Sequence, residues 1–216
     1  MENIKICLIT GYKGSGKDTL YKSYVNNDTR IKWAVYQNQW KQVSFPNINA
    51  KRLAFADEVK KLVYQKLVEE GILNKEVNPL DDSLKEKVLK TGKTFRDYCI
   101  ELSMGTTFGR SMDKDVWVKK VYQEMLDDVS TGNAFVITDW RFQNEKEFLL
   151  YKNNVSLTTV RVFRRCVPIP SIDDKTEHDL DRLRTDFLVL PGEDTESEYE
   201  AATKIFPQYL GYKRLF

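Results

Sequence analysis

"GYKGSGKDT", residues 11–19, is the stretch of this sequence that decides the fold. It holds three glycines and two lysines, and it follows an apolar run from Ile4 to Ile9. Such a run is typical of a strand in a parallel sheet that is covered on both faces. The residues from Thr19 to Val25 can continue as a helix. A glycine loop between a buried strand and a helix predicts a phosphate-binding turn, because backbone N–H groups line a concave anion site there and the helix N-terminus adds partial positive charge.

The spacing from Gly11 through Gly16 to Lys17 matches the P-loop pattern. In that pattern the lysine reaches the β- and γ-phosphates of ATP, and a hydroxyl group ligates Mg²⁺. The hydroxyl usually stands directly after the lysine, but here Asp18 holds that place and Thr19 comes next. We therefore expect Thr19 to reach the metal or the phosphates, and Asp18 to contribute through water on Mg²⁺ or by ordering the loop. The alternative is a glycine-rich turn that binds no ligand.

A second group of candidate residues lies in "FVITDWRFQNE", residues 135–145. Asp139 stands at the end of an apolar strand. In P-loop proteins an acid at this position holds Mg²⁺ through the water shell of the ion. Arg141 follows at the carboxyl edge of the predicted sheet, where α/β proteins bind ligands, and its guanidinium suits a bidentate grip on phosphate. The alternative is a surface Asp–Arg pair that caps the following helix.

Four further cationic side chains are candidates for phosphate contacts. Lys13, inside the glycine loop, either contacts a transferred or acceptor phosphate or is solvated. Arg110 lies in a polar turn of "GTTFGRSMDKDVWV", from which it can reach into a cleft, whereas Trp117 of the same stretch is expected in the core. Arg164 and Arg165 end the stretch "VRVFRRC" and either close over a triphosphate or form a solvated strand end.

The order of predicted elements favours an α/β fold, with a mostly parallel sheet and helices on both faces. Helices are predicted within residues 51–71 with a stop at Gly71, within 113–129, and at about 144–151. The second of these has an apolar face made of Val118, Val121, Tyr122, Met125 and Val129. Further strands are predicted within 133–139, 156–163 and 186–190. The polar, proline-containing stretches 78–83 and 164–179 are predicted as loops or mobile inserts.

Composition restricts the classes of partner. The net charge of 34 − 32 = +2 is small, so the composition does not indicate the basic surface that is typical of proteins that bind nucleic acid. We see no signal-peptide layout and no apolar window of about 20 residues, so we expect a soluble cytoplasmic protein with no membrane partner. The three cysteines, Cys7, Cys99 and Cys166, are expected as buried reduced thiols. The sole histidine, His178, lies among acids without evident partners, and no catalytic role is expected for it.

Several segments together resemble the phage-type deoxynucleoside monophosphate kinases, a family of P-loop nucleoside monophosphate kinases. The likeness is carried by "GYKGSGKDT", "LAFADEVKK", "GTTFGRSMDKDVWV" and "VITDWRFQNE", which occur in the family's order up to about residue 165. The family tends to carry a His-x-Ser-Glu-like element after its lid. In "DDKTEHDLD", Thr176 and Glu177 stand in the Ser-Glu position, and Asp174 stands where the histidine would fall.

The resemblance implies a P-loop NTPase-type three-layer sandwich in a single domain over residues 1–216. It implies a monophosphate-binding region at about 50–115 and a lid insert at about 164–180. The residues expected to hold ATP are Gly11, Lys13, Gly14, Ser15, Gly16, Lys17, Asp18, Thr19 and Arg164. The residues expected to face the monophosphate are Lys13, Lys60, Arg110 and Arg141. The expected Mg²⁺ ligands are Thr19, Asp18 and Asp139, and the expected catalytic residues are Lys17, Arg141, Asp139 and Arg110.

The predicted activity is transfer of the γ-phosphoryl group of ATP, with Mg²⁺, to a deoxynucleoside 5′-monophosphate. If the source is viral, the enzyme would work in the host cytoplasm. The apolar and aromatic faces that remain can support a homodimer. One alternative is another small-molecule P-loop kinase of the phosphomevalonate or dephospho-coenzyme A type, since these share the glycine loop and a similar "FAD" segment. A second is a non-catalytic ATP-binding switch. A nucleic-acid-binding module, based on "RVFRR" and "GYKRLF", is disfavoured by the small net charge.

Overall fold

The computed structural model describes residues 3–25, 33–35, 50–105, 109–128, 134–191 and 194–214. The chain divides into two compact units. The sheet unit joins the chain up to Leu53 with the chain from Met125 onwards, and the helical unit spans Ala54–Glu124. The helical unit covers much the same residues as the region that the sequence assigns to monophosphate binding.

The strands of the described part of the chain form one sheet. They are β1 (Ile4–Thr10), β2 (Trp33–Val35), β3 (Lys51–Leu53), β4 (Ala134–Ile137), β5 (Val155–Val162), β6 (Phe187–Val189) and β7 (Lys213–Arg214). Their order is β3-β4-β1-β5-β6-β2-β7. The first five strands in this order, which are β3, β4, β1, β5 and β6, are mutually parallel. Strand β2 runs antiparallel to both β6 and β7. The prediction of an α/β fold with a mostly parallel sheet is confirmed.

Four of the helices in the described part of the chain match helices that the sequence predicts, with bounds that differ by only a few residues. The described helices are α1 (Lys17–Val25), α2 (Phe55–Glu69), α3 (Phe95–Met104), α4 (Val116–Asp127), α5 (Gln143–Leu150), α6 (Lys175–His178) and α7 (Thr195–Ile205). Short 3₁₀ turns span Asp82–Leu84 and Pro207–Tyr209. Helices α3 and α7 were not predicted, and the short α6 lies within the stretch predicted as a loop.

Alternate residues of each strand point to opposite sides of the sheet. Because apolar side chains lie on both sides, helices cover both faces. One buried cluster contains Leu20 of α1 together with the following sheet residues: Cys7, Ile9, Val136, Val160, Val162, Phe187 and Val189. The opposite face contributes Leu188, which packs with Tyr199 and Ala202 of α7. The predicted three-layer arrangement is therefore present in the sheet unit.

The helical unit has its own apolar packing. In α2, the buried residues Phe55, Val59, Val63 and Leu67 follow helical spacing. Helix α2 contacts α3, which begins with a capping box between Thr94 and Asp97. Gly71, the predicted stop signal, has a φ of 69° just after α2.

The predicted apolar face of the third helix is largely found in α4. Trp117 is buried as expected, and its Nε1 donates to Ser103 O at 3.3 Å. Val118, Val121 and Met125 are buried as well. Val129, the last residue predicted on this face, lies outside the described residues.

The three cysteines are free thiols, but only Cys7 is buried. Burial raises the pKa of the Cys7 thiol to about 12 and that of the partly buried Cys99 thiol to about 11. The expectation of burial is wrong for Cys166, which is exposed because it lies in the polar loop after β5.

Within the described ranges, the structure holds no helix with the length and apolar character needed to cross a membrane.

Candidate functional site

The glycine loop lies between the end of β1 at Thr10 and the start of α1, as the sequence predicts. Three of its glycines have positive φ values, 145° for Gly11, 86° for Gly14 and 96° for Gly16. Side chains with a Cβ are strained at such angles, so glycine is what lets the chain turn here. The nine residues of α1 begin directly behind this loop, two residues earlier than predicted. The loop therefore presents its backbone at a helix N-terminus, which is an arrangement that favours anions.

Lys17 is folded against the loop that precedes it. Its ammonium group donates to Gly11 O at 2.6 Å and to Tyr12 O at 3.0 Å. These carbonyl contacts satisfy the ammonium group while leaving it at the mouth of the loop, so a phosphate can replace them with charge-assisted hydrogen bonds.

Several predicted site residues lie close enough to Lys17 to change its pKa. Burial lowers the pKa of the Lys17 ammonium below its usual value, and the nearby Arg141 guanidinium lowers it further. The carboxylates of Glu177, Asp18 and Asp139 act in the opposite direction. Three residues that the sequence assigns to the catalytic machinery, Lys17, Asp139 and Arg141, are thus brought together in the sheet unit.

The backbone at Arg141 is held by a buried acid. Arg141 follows β4 by four residues, and its N–H donates to the Glu145 carboxylate at 3.2 Å. The same carboxylate oxygen accepts from Phe142 N at 3.1 Å. Glu145 is only 1% exposed, so these contacts fix the start of α5 and the main chain that carries Arg141. Sequence analysis did not single out Glu145 for this role.

The carboxylate of Glu177, in α6, contacts both the glycine loop and Arg141. One carboxylate oxygen accepts from the backbone N–H of Lys13 at 3.1 Å, and the other accepts from Arg141 Nη1. The Glu177 side chain is 8% exposed, whereas that of Arg141 is 38% exposed. The predicted lid segment, residues 164–180, thus lies against the loop through an acid that sequence analysis did not place in the site.

His178 has the partners that sequence analysis failed to foresee. Its Nδ1 lies 2.6 Å from Asp181 Oδ2, and its Nε2 lies 3.1 Å from Ser171 O. Asp181 also accepts from the Tyr12 hydroxyl of the glycine loop at 2.9 Å. The Arg161 guanidinium, buried within β5, lies 3.6 Å from the other Asp181 oxygen. This network joins the end of the lid segment to the loop and to the sheet.

The predicted Mg²⁺ ligands have suitable donor atoms. Thr19 supplies a hydroxyl, and Asp18 and Asp139 supply carboxylates, which are the oxygen ligands that Mg²⁺ prefers. In the described part of the chain, no group of three or more His, Cys, Asp and Glu side chains is arranged to hold a metal ion. Mg²⁺ binding by Thr19, Asp18 and Asp139 therefore stays a prediction. Asp18 is paired with Arg52 at 3.1 Å, a cation beside the loop that sequence analysis overlooked.

Ser15 and Arg164 line a small cavity beside Gly11, with a volume of about 10 Å³. The Ser15 N–H donates to Tyr12 O at 3.0 Å. Its buried hydroxyl has no hydrogen-bond partner among the residues that the structure describes. The neighbouring Arg165 donates its N–H to Glu198 at 2.6 Å.

Lys60 and Arg110 belong to the helical unit, so their predicted role at the monophosphate stays a prediction. Lys60 Nζ pairs with Asp57 Oδ1 at 2.9 Å, and both side chains are largely buried. Arg110 lies in the turn before α4, as expected, and its Nη1 donates to Lys114 O at 3.2 Å.

Comparison with protein-family models and with curated proteins found no match to this chain. The functional assignment therefore depends on the motifs in the sequence and on the geometry of the loop.

Proposed function

We propose that this protein is a nucleoside monophosphate kinase that transfers the γ-phosphoryl group of ATP to a deoxynucleoside 5′-monophosphate. The observation that carries the proposal is the glycine loop at the start of α1, with Lys17, Asp139 and Arg141 gathered at its mouth. A loop that binds one phosphate chain does not by itself require a second cation, whereas phosphoryl transfer requires two phosphates to be held together. Arg141 supplies that second cation. The choice of a deoxynucleotide acceptor comes from the family resemblance of the four motifs.

The residues at the loop have the properties that phosphoryl transfer needs. Loop amides and the Lys17 ammonium would bind the polyphosphate of ATP, and Arg141 would offset the repulsion between donor and acceptor phosphates. Asp18, Thr19 and Asp139 would hold Mg²⁺, which supplies further charge neutralisation when bound. A general base is unnecessary because the acceptor phosphate oxygen is already anionic at neutral pH. The lid segment, with Glu177 beside the loop, would limit access of water.

The test combines an acceptor panel with a lysine variant. Wild-type protein is incubated with MgATP and each deoxynucleoside monophosphate, and ADP release is measured. We expect at least one of these acceptors to stimulate ADP release. Lys17→Met should lower the stimulated rate by about a hundredfold or more, because a charge at the transferred phosphate is lost. Lys22→Met, which removes an exposed lysine of α1 outside the loop, is the matched control and should keep the wild-type rate.

The same panel separates the alternatives. Phosphomevalonate and dephospho-coenzyme A are included as acceptors, and stimulation by either one alone would identify a different P-loop kinase. ATP binding without stimulation by any acceptor would indicate a nucleotide-binding switch. In both cases the deoxynucleotide kinase proposal is wrong. Thermal unfolding of each variant establishes that a lost rate does not reflect an unfolded protein.

A further inference from the structure

We propose that the Glu177 carboxylate occupies the position of a substrate phosphate group at the glycine loop, so that phosphate and Glu177 compete for the same donors. This inference rests on the proposed function and deepens it, because it identifies a competitor for the phosphate within the chain itself. The lid segment would then hold the site closed in the absence of substrate, and substrate binding would displace the side chain.

The partners of Glu177 are the first argument. It accepts from one backbone N–H of the glycine loop, at Lys13, and from the Arg141 guanidinium. A loop amide and an arginine are the two kinds of donor that bind phosphate oxygens at such loops. A carboxylate that takes both is an anion in an anion site.

Burial is the second argument. With 8% of its side chain exposed, Glu177 has given up most of its hydration, and a carboxylate tolerates this only when it is paired. Its contacts with the loop and with Arg141 provide that pairing. Lys13 and Arg141 are 164 and 36 positions away from Glu177 in the sequence, so these contacts result from the fold and not from local helix geometry.

The residues after Glu177 hold it in place independently of its own carboxylate. Asp179 accepts from Gln143 N at 2.9 Å, at the start of α5. Asp181 accepts from the Tyr12 hydroxyl at 2.9 Å. Because neither contact involves the Glu177 carboxylate, both can hold the Glu177 backbone beside the loop without it. The carboxylate is therefore present at a high effective concentration and competes strongly with an anion from solution.

Competition of this kind has a defined effect on affinity. The measured dissociation constant equals the intrinsic constant divided by the fraction of molecules in which the donors are available. Neutralising the carboxylate raises that fraction. We expect Glu177→Gln and Glu177→Ala to bind a phosphate anion about 3-fold to 30-fold more tightly than wild type.

The experiment measures binding of inorganic pyrophosphate by isothermal titration calorimetry, without metal or nucleoside. The proteins are wild type, Glu177→Gln, Glu177→Ala and Glu147→Gln. The last is the matched control: Glu147 accepts from Gln143 Nε2 at 2.7 Å on α5, and its neutralisation changes the net charge by the same amount. Tighter binding by both Glu177 variants, with the control equal to wild type, supports the inference. Circular dichroism establishes that each variant is folded.

Equal or weaker binding by the Glu177 variants overturns the inference, and weaker binding would mean that Glu177 positions Arg141 for the ligand. In those outcomes wild type still binds pyrophosphate, so the proposed function survives and the acceptor panel decides it. If wild type shows no detectable pyrophosphate binding and the Glu177 variants bind pyrophosphate, the inference is supported. If none of the proteins binds pyrophosphate or ATP, both the inference and the proposed function are wrong.

Discussion

Gly11 shows how closely the glycine loop approaches the sheet. A Cβ atom at this position would lie 2.4 Å from Val162 O and 2.7 Å from Ser15 Oγ. The carbonyl belongs to the end of β5, which pairs with β1 along its length, so it cannot move without disturbing the sheet. The φ of 145° adds a conformational penalty for any side chain. Glycine is therefore required at this residue for packing as well as for the turn.

Gly11→Ala should consequently lower the free energy of unfolding by about 2–4 kcal/mol, since strain and a backbone clash add together. Gly14→Ala is the control in the same loop. Its φ is also positive at 86°, but an added Cβ meets nothing within 4 Å, so we expect a loss of only about 1–2 kcal/mol. Urea unfolding followed by circular dichroism measures both. Equal losses for the two variants would contradict the close approach of Gly11 to β5.

Among the elements, the end of the lid segment contains His178, whose ring contacts join it to its neighbours. Both ring nitrogens of His178 face acceptors: Nδ1 faces Asp181, and Nε2 faces the carbonyl groups of Pro170 and Ser171. Only the protonated ring donates on both sides. The hydrogen bond to Asp181 is the largest cause of the raised pKa of His178, which the partial burial of the ring opposes. Tyr12 of the glycine loop packs edge-on against the ring and donates to the same carboxylate.

This arrangement predicts a pH dependence with a definite sign. A pKa that is higher in the folded than in the unfolded protein gives stability that is fully present below the unfolded value of about 6.5. That stability is lost as pH rises through the folded pKa. The difference in free energy of unfolding between wild type and His178→Gln should therefore be largest near pH 6 and should shrink towards pH 9. Urea unfolding at several pH values measures it, and a difference that is constant with pH would refute the assignment.

At the scale of the whole molecule, binding at the glycine loop should appear as global stabilisation of the sheet unit. The loop connects β1 to α1, and β1 pairs with both β4 and β5. A ligand that binds only the folded loop adds its binding free energy to the stability of this sheet, about 2.7 kcal/mol at a hundred times the dissociation constant.

MgATP at that concentration should accordingly raise the melting temperature of wild type by about 5–10 °C, as expected for a chain of this size. Lys17→Met should show a shift below about 1 °C under the same conditions, and Lys22→Met should shift like wild type. Differential scanning fluorimetry is sufficient for this comparison. A full shift in Lys17→Met would show that ATP binds elsewhere or without this lysine.

Segments that are continuous along the chain could be predicted from local sequence pattern. The strand β1, the glycine loop and the start of α1 follow one another without a break, so local pattern was enough to predict all three. The same holds for β4 and the position of Arg141 after it. Hydrophobic periodicity also located α2 and α4, and the apolar stretches within 156–163 and 186–190 located β5 and β6.

Tertiary structure alone decided which distant groups meet at the loop. Glu177 and Lys13 are 164 positions apart. The family resemblance singles out Glu177 by its position after the lid, but the local sequence does not show that it contacts the glycine loop. Arg161 stands in an apolar strand, a signal of a buried partner, but the sequence does not name Asp181 as that partner. Strand β7 has only two residues, and β3 begins with the exposed cations Lys51 and Arg52, so neither shows an apolar run. Both are strands because neighbouring strands pair with them. Local preference fixes an element, whereas a contact between elements depends on the packing of the whole sheet.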